Sequence, residues 1–324
     1  MKPVDLLHYD PGLMEETVFL AIREDREAKR FHRERHLLYE ITNAEERERA
    51  FQDFYRTWFF RLGFSEQIEK ALGEQPLISS GIKGCFVARA PGKQEEGAEL
   101  FVNPEEKLSD REQRTVSIFL LPESLLNPSV LLTFLRHELL HIADMLDPGF
   151  GYERELPAAE AGPTHDRLHK ERYRVLWDAT IDGRMVRRGW ADESVRANRL
   201  CDFRQAFSML AEDIEDLFSR FFYREPHTHA ELVTFVFDPR AVVGSYEGYY
   251  PGARCPLCGF PTYTFEPEPE RLAPDLVHQI TQDFPHWQCA NGLCTQCADL
   301  YRARDASSSA TQSLPGNLFL GPQS

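Results

Sequence analysis

The chain has 324 residues, 42% of them hydrophobic, and carries a formal net charge of −15. A chain of this length can bury one large hydrophobic core, or one core and a small second domain. The acidic balance argues against a surface built to wrap nucleic acid, and no stretch is apolar for long enough to predict a transmembrane helix. The first residues, MKPVDLLHYDPG, lack the basic and apolar regions of a signal peptide, so a cytoplasmic location is expected.

The first 75 residues predict an N-terminal helical segment. Between residues 13 and 72, apolar residues recur at spacings of three and four, while acidic and basic residues alternate elsewhere. The run from Arg23 to His36 is rich in both signs of charge, which is typical of a solvated helix face rather than of a nucleic-acid patch.

Short β-rich stretches follow, and a long apolar helix comes directly after them. The stretches GCFVARA, AELFVN and RTVSIFLL are separated by turn residues and predict the strands of a small sheet. Asn127 as N-cap, Pro128 at the first helical position and a Pro148-Gly149 stop predict a helix over 128–146. Apolar residues cover nearly every direction of this helix, so we expect it to be buried.

Four polar residues form a narrow stripe on this helix: His137, Glu138, His141 and Asp144. Buried imidazoles and carboxylates are costly unless each has a partner, which a metal ion would supply. His-Glu-x-x-His places two imidazoles one turn apart, where both can reach one Zn²⁺, and puts the glutamate beside the open coordination position. Glu138 is therefore predicted to be the general base and then the general acid of a hydrolytic reaction. Asp144 either orients a ligand imidazole or caps nearby backbone.

The motif and its setting resemble the zincin metallopeptidases. That resemblance implies a mixed sheet packed against the active-site helix, with the substrate lying along the edge strand of the sheet. The stretch TVSIFLLP is the candidate for that edge strand. The predicted fold class is accordingly α+β, with a zincin-like core behind the N-terminal helical segment, and the implied partner is a protein or peptide substrate.

A catalytic zinc needs a third protein ligand, and the basic helix predicted over HDRLHKERYRVLWDATIDGRMVRRG offers several. His169, followed four residues later by Tyr173, is similar to the third-histidine segment of SprT-like (Spartan-type) and WLM-type metallopeptidases. Lys170 departs from the glycine or aspartate that those families often carry after the histidine. On this resemblance His169 is the predicted third ligand, and His165, with Asp166 behind it, is an alternative.

Two aspartates on the same helix are a further alternative. Asp178 and Asp182 lie one turn apart in WDATID and resemble the Glu-x-x-x-Asp of gluzincins with a shorter ligand. Another interpretation is that both pair with neighbouring arginines. Tyr152 and His165 are candidates for the donor that would stabilise the oxyanion. Beyond this region, a long helix is predicted over about 192–222, and a capping box of Thr228 and Glu231 predicts a short one.

Five of the seven cysteines lie between residues 255 and 297. Cys255 and Cys258 form one C-x-x-C knuckle, and Cys294 and Cys297 form another after 35 intervening residues. Two such knuckles predict a tetrahedral structural zinc. With the helical stretch that follows, the segment resembles a treble clef or zinc ribbon. Cys289 is interpreted as a buried free thiol, with a role as a substitute ligand as the alternative.

The predicted domains are a helical segment over 1–75, a zincin-like core with following helices over 76–240, a zinc module over 253–305 and a disordered tail over 306–324. A zincin core followed by a cysteine zinc module is again similar to SprT-like proteins. The expected cofactors are two zinc ions, one catalytic and one structural.

The predicted function is that of a zinc-dependent metallopeptidase. One alternative is a non-catalytic protein-interaction module in which both zinc sites are closed, and another is a DNA-associated protease of the SprT kind. Residues 253–305 contain four arginines against seven acidic residues. Because phosphate contacts need Lys or Arg, nucleic-acid binding is expected to be absent or weak.

Overall fold

The computed structural model describes residues 3–23, 25–103, 108–159, 162–224, 227–239, 253–262, 264–285 and 287–312. The chain divides into two compact units, residues 1–242 and 243–324. Helices dominate, and a small mixed sheet accompanies them, which agrees with the predicted α+β class. The predicted helical segment 1–75 and core 76–240 fall within the same compact unit.

The helices of the first unit fill most of its described residues. They are α1 Pro11–Ile22, α2 Ala28–Leu37, α3 Ala44–Arg61, α4 Glu66–Gly73, α5 Pro76–Gly81, α6 Asp110–Gln113, α7 Pro122–Leu125, α8 Pro128–Leu146, α9 Pro163–Arg187, α10 Val195–Ala206, α11 Ile214–Tyr223 and α12 His229–Phe237. None of the described helices is both long and apolar enough to span a membrane.

The sheet of this unit contains the strands β1 Leu7–Tyr9, β2 Gly84–Arg89, β3 Gly97–Val102 and β4 Arg114–Leu120 in the order β1-β2-β4-β3. β1, β2 and β4 are parallel, and β3 runs antiparallel to β4. The three predicted strands are confirmed, whereas β1 is only three residues long and has too short a pattern to predict. The expectation that TVSIFLLP is an edge strand is wrong: β4 lies between β2 and β3, and β3 is the edge strand on that side.

The predicted helix over 128–146 is confirmed as α8, with Pro128 in its first turn and the Asn127 side chain capping its N-terminus. Its buried side includes Leu131, Leu135, Leu139 and Ile142, which belong to the core shared with the sheet. The expectation that the helix is buried on all sides is wrong, because Val130 and Thr133 on the side of the His-Glu-x-x-His stripe are exposed to solvent.

An ion pair fixes α8 against α4. The Arg136 guanidinium donates from Nε and Nη2 to the two carboxylate oxygens of Glu74 at 2.7 and 2.6 Å. Such a two-fold contact fixes orientation as well as distance. The residue directly before His137 is therefore locked to the rest of the core.

The helix predicted over 192–222 is interrupted. α10 ends at Ala206, Phe207 adopts φ −119° and ψ 37°, and a 3-10 segment, Ser208–Asp213, leads into α11. The break brings the Phe207 ring within 4.6 Å of Phe203 and 5.1 Å of Phe235, measured between ring centroids. Burial of these rings decides the local path, because the helical periodicity alone continues through the break.

The second unit has the hairpin β5 Ala253–Arg254 and β6 Pro261–Thr262, and the helices α13 Pro274–Asp283 and α14 Thr295–Gln312. The predicted disordered tail covers 306–324; residues 306–312 continue α14, and residues 313–324 lie outside the described residues. Helix-compatible residues such as Ala303 and Ala310 let α14 run on past the point where the composition becomes polar.

Candidate metal centres

Two histidines of α8 and one aspartate of α9 converge on a single point. His137 Nε2 and His141 Nε2 lie 3.3 Å apart. Asp178 Oδ1 lies 3.2 Å from His141 Nε2 and 3.8 Å from His137 Nε2. One turn of α8 separates the histidines, so both rings project from the same face towards the helix that crosses it.

This arrangement fits a metal ion. Zinc bonds of about 2.0–2.1 Å to nitrogen and oxygen place tetrahedral ligand atoms about 3.3 Å apart. The three separations in the cluster range from 3.2 to 3.8 Å. Two imidazole nitrogens at 3.3 Å with a carboxylate oxygen between them form a donor set that a cation completes. The cluster offers three protein ligands and faces a cleft, which leaves room for a further ligand.

A second carboxylate supports the first histidine from behind. Asp182, one turn after Asp178, accepts a hydrogen bond from His137 Nδ1 at 2.8 Å through Oδ1. Burial lowers the pKa of the His137 imidazole, but Asp178 and Asp182 outweigh it and raise that pKa to about 9. In the absence of a metal, the two carboxylates therefore favour the protonated form of His137.

Arg199 of α10 binds the outer oxygens of both carboxylates. Its Nε lies 2.5 Å from Asp182 Oδ2, and its Nη1 lies 3.5 Å from Asp178 Oδ2. Each aspartate therefore turns Oδ1 to a histidine and Oδ2 to an arginine. Burial alone would raise the pKa values of both carboxyls, yet the histidines and Arg199 hold them below their usual range. Both aspartates are ionised and oriented as metal ligands and ligand supports require.

The structure places His169, the predicted third ligand, outside the cluster. The His169 ring packs against Phe237, with ring centroids 4.1 Å apart at 49°, and takes no part in the cluster. It lies nine positions before Asp178, which is about 13.5 Å along a helix axis. The alternative ligand His165 lies still further towards the N-terminus of α9, in a shallow hollow beside Arg167. The aspartate alternative is the one that the structure brings to the histidines.

Asp144 was predicted either to orient a ligand imidazole or to cap backbone, and its carboxylate contacts Trp177 and Arg184. It accepts hydrogen bonds from Trp177 Nε1 at 2.8 Å and from Arg184 Nη1 at 2.7 Å. The edge of the Trp177 ring packs against His141, with ring centroids 4.5 Å apart at 86°. Asp144 therefore affects the cluster indirectly, because it holds the Trp177 indole against which the His141 ring packs. The spacing of three residues between His141 and Asp144 suggested a direct contact between them. It could not indicate that Trp177, from another helix, lies between the two side chains.

Glu138 lies between the histidines and the edge strand. Its Oε2 accepts a hydrogen bond from the backbone N–H of Ala98 in β3 at 3.2 Å. A Cβ atom at Gly97 would lie 3.2 Å from the same oxygen, so the absence of a side chain there leaves Glu138 its place. The Ala98 N–H points away from β4, and backbone groups alternate in direction along a strand. Leu100 and Val102 consequently present their N–H groups to the same open edge.

A cleft of about 960 Å³ runs past these residues. The side chains that line it come from α8, from α9, from the turn after α9 and from α10: Ser129, Val130, Thr133, Phe134, His137, Glu138, His141, Arg174, Trp177, Asp178, Asp182, Met185, Ala191, Val195 and Arg199. Cavities of this size and composition are typical of small-ligand or substrate sites. Tyr152 and His165 are not among the lining residues in the described ranges, so their predicted role as oxyanion donors has no support from position.

The second candidate centre is the predicted set of four cysteines. The sulfur atoms of Cys255, Cys258, Cys294 and Cys297 all lie within 4.8 Å of one another, and the cluster could bind a metal ion. Cys255 Sγ and Cys297 Sγ are 3.8 Å apart. Zinc–sulfur bonds of about 2.3 Å give tetrahedral sulfur separations of about 3.8 Å.

Backbone groups support these thiols. Burial raises the pKa of the Cys255 thiol, but N–H groups of Cys258, Cys294 and Leu257 donate to it and bring its pKa to about 7. A thiol with such a pKa readily gives the thiolate that a metal ligand must be. Cys289 is half-buried rather than buried and packs against the core of the unit, outside the four-sulfur cluster.

Both candidate centres thus stand on their own geometry. No protein-family model, no curated protein and no solved structure matches the chain.

Proposed function

We propose that the chain is a zinc-dependent metallopeptidase with a zincin-like core. The observation that carries the proposal is the convergence of His137, His141 and Asp178 at tetrahedral distances, with Glu138 beside them in an open cleft. A closed structural site needs four protein ligands, whereas a catalytic site keeps one position for water or substrate. The ligand set resembles the gluzincin pattern, with aspartate in place of the usual glutamate.

Each residue around the centre has a separate role in the proposed hydrolysis. Zinc bound there would lower the pKa of a water ligand and polarise the scissile carbonyl. Glu138 holds the proton taken from the water and delivers it to the leaving amine. Asp182 fixes His137 through Nδ1, which leaves Nε2 turned towards the metal, and Trp177 limits rotation of the His141 ring.

The open edge of β3 supplies a place for a peptide backbone. A substrate in extended conformation can pair with an exposed strand through main-chain hydrogen bonds. Ala98 is the residue of that edge nearest to Glu138. A peptide aligned on β3 would therefore pass the carboxylate that handles the protons.

Arg174 is the donor that we assign to the oxyanion. It lines the cleft one helical turn before Asp178, and its Nη1 lies 3.4 Å from Asp178 Oδ2. Its side chain is 62% exposed, so the guanidinium can reorient towards substrate. Charged hydrogen-bond donors that face the developing negative charge contribute strongly to transition-state stabilisation in acyl transfer.

For the cysteine module we propose one structural zinc and no nucleic-acid role. Three of its arginines are already engaged with acidic neighbours: Arg271 with Glu268, Arg302 with Glu266 and Asp299, and Arg304 with Asp283. Contacts with phosphate would have to replace these pairs. The expected binding of DNA is at most the weak non-specific range of about 10⁻⁴–10⁻⁶ M at physiological salt.

The decisive variant is Glu138→Gln, which keeps the shape of the side chain but cannot accept the proton. We expect it to bind both metal ions and to lose at least about a hundredfold in hydrolysis of fluorescent casein. Glu123→Gln on α7, an exposed carboxylate outside the cleft, is the matched control and should keep full activity. Equal hydrolysis by the wild type and Glu138→Gln would exclude the mechanism. A zinc site with four protein ligands and no hydrolysis would favour a protein-interaction module instead.

A further inference from the structure

A second, smaller cavity of the first unit has a volume of about 250 Å³ and shares no lining residue with the cleft. Its walls come from the end of α8, from the loop after α8, from the second half of α9 and from the residues that lead into α12. Thr180, Arg184 and Arg188 lie one turn apart and present one face of α9 to it. Sites for drug-sized ligands have about 300–1,000 Å³, so this cavity suits a smaller molecule.

The cavity wall carries two positive and two negative side chains, and one pair of them satisfies itself. Arg184 donates to both carboxylate oxygens of Asp144, with Nη1 2.7 Å from Oδ1 and Nη2 on Oδ2. Asp144 is buried and also accepts the Trp177 Nε1–H at 2.8 Å. The pair is neutral as a whole, so it attracts neither sign of charge on a ligand.

The other two charged groups have no partner of opposite charge within the described ranges. Asp147 follows the last residue of α8 and accepts the Gly149 N–H at 2.8 Å through Oδ1, so that Oδ2 is left for another donor. A helix C-terminus carries partial negative charge, and the Asp147 carboxylate adds to it, which favours a cation there. Arg188 directly follows α9, is exposed, and its guanidinium lies 5.0 Å from the centre of the Trp190 ring. It is a cation that can bind an anion.

His227 adds an unsatisfied acceptor to the wall. Its side chain is only 10% exposed, and Nε2 is shielded from solvent with no hydrogen-bond partner in the part of the chain that the structure describes. Burial lowers the pKa of the imidazole and so favours the neutral ring. Nδ1 lies 3.7 Å from the Glu231 carboxylate, which favours the ring proton on Nδ1 and leaves Nε2 as an acceptor. Buried acceptors normally have a donor, which a ligand would supply here.

We propose that this cavity binds a small zwitterion of the free α-amino acid class, with its ammonium group between Asp147 and His227 and its carboxylate on Arg188. A simple anion would be repelled by Asp147 and would give His227 no donor, whereas a simple amine would leave Arg188 unused. Charge-assisted hydrogen bonds at both ends of the ligand provide affinity and orientation. Phe150 lines the same space with an apolar ring, against which the side chain of the ligand can pack. The inference does not depend on the proposed peptidase reaction.

The indole of Trp177 reports on the cavity. Its Nε1–H donates to Asp144, which lines the cavity, and a charged ligand there changes the electric field at that bond. Nitrogen–proton correlation spectra of the zinc-loaded full-length protein should therefore show a shift of the Trp177 indole resonance when the cavity is filled. Trp177→Phe assigns the resonance, and the indole of Trp58, in α3, should not move.

The test is a titration of the full-length protein with each of the standard L-amino acids in turn, followed by calorimetry with the one that binds most tightly. Its N-acetyl derivative lacks the ammonium group, and its amide lacks the carboxylate. We expect each derivative to bind at least about tenfold more weakly than the parent amino acid, because each leaves one charged partner of the protein unmatched. Inorganic phosphate should bind more weakly still.

Two variants place the binding in this cavity. Asp147→Asn keeps the oxygen that accepts the Gly149 N–H but removes the negative charge, and Arg188→Gln removes the positive charge. Neither residue lines the cleft, so both variants should fold and retain their metal ions. Each should weaken binding of the best amino acid by about tenfold or more. The controls are Asp216→Asn and Arg204→Gln, at exposed positions outside the cavity, which should leave the affinity unchanged.

Several results would overturn the inference. They are failure of every amino acid to bind, an N-acetyl derivative or phosphate that binds as tightly as the parent, and binding that Asp147→Asn and Arg188→Gln leave unchanged. The last result would place the ligand elsewhere, for example on the zinc ion of the cleft. Because the measurements need no substrate, amino-acid binding by a protein that hydrolyses no peptide would support this inference and count only against the proposed function.

Discussion

The two candidate metal centres differ in what surrounds their ligands when no metal is bound. In the first unit, both carboxylates of the centre are paired: Asp178 and Asp182 contact a histidine through one oxygen and Arg199 through the other. In the second unit, four sulfur atoms lie close together, and backbone N–H groups donate to two of them, those of Cys255 and Cys294.

The two units also differ in the size of their hydrophobic cores. The first unit has an extended core shared by its sheet and helices, to which Leu135 and Leu139 of α8 belong. The described core of the second unit consists of ten residues, two of which are the ligands Cys255 and Cys294. A module of this size seldom supplies enough apolar burial to fold alone. We therefore propose that the fold of the first unit forms without metal, whereas folding of the second unit depends on metal binding at its four cysteines.

The largest effect should follow from loss of a cysteine ligand. Cys294→Ser should unfold residues 253–305 and leave residues 3–239 protected, because folding and metal binding are one process in small zinc modules. Cys201→Ser, an exposed cysteine of α10, is the control. Hydrogen exchange followed by mass spectrometry measures both units at once. Retained protection in the second unit after Cys294→Ser would show that its core suffices without metal.

A packing variant should have the largest effect on the first unit. A Cβ atom at Gly183 of α9 would lie 1.8 Å from the Phe222 carbonyl oxygen of α11. Gly183→Ala must force the two helices apart and should lower the free energy of unfolding by about 3 kcal/mol or more. At Gly81 the added atom would meet Leu146 at an ordinary 3.5 Å, so Gly81→Ala is the matched control. Chemical denaturation of the metal-free protein gives the comparison, and a Gly183→Ala protein as stable as the wild type would contradict it.

The His-Glu-x-x-His helix, the strands and the cysteine knuckles could be predicted because each depends on residues close together in sequence. The third ligand could not. His169 and Asp178 lie on one helix, and only the crossing of α9 over α8 decides which of them meets the histidines. The prediction of the edge strand was wrong for a related reason. β4 is the last strand before α8 in the chain, but β3 occupies the edge of the sheet. Arg199 had no sequence signal, since it approaches the cluster from a third helix.

Zinc affinity of the first centre should depend on pH. Because the His137 pKa is raised to about 9 in the metal-free protein, zinc must displace one proton at neutral pH. Affinity should therefore rise about tenfold per pH unit and level off above about pH 9. Competition with a chelating dye between pH 6 and 8, corrected for protonation of the dye, measures the slope, and an affinity independent of pH would contradict the prediction.

The same pKa shift has a consequence for stability with the opposite sign. A group whose pKa is raised on folding stabilises the folded state fully below its unfolded value and loses that effect as the pH rises through its folded value. For metal-free protein, the contribution of His137 should be complete below about pH 6.5 and disappear as the pH passes about 9. His137→Gln should remove this dependence from denaturation curves of the first unit.

A smaller change in zinc affinity is expected from Arg199→Met. Without the guanidinium, Asp178 and Asp182 repel each other and lose the contact that orients their outer oxygens. Residues that support metal ligands typically contribute about 10–100-fold to affinity. Arg199→Lys keeps the positive charge but loses the two-fold guanidinium contact, so its zinc affinity should lie between those of the wild type and Arg199→Met. Arg204→Met, at an exposed arginine paired with Glu215, is the control. Unchanged affinity in Arg199→Met would show that α10 has no part in the centre.

The central claim is that His137, His141 and Asp178 hold a zinc ion with one position left open. Anomalous diffraction at the zinc absorption edge from crystals of zinc-loaded protein tests it directly. We expect an anomalous peak within about 2.2 Å of both Nε2 atoms and Asp178 Oδ1, with a water molecule completing the tetrahedron near Glu138. A peak coordinated by His169, a fourth protein ligand in place of the water, or no peak at this centre would exclude an open zinc site formed by these three residues.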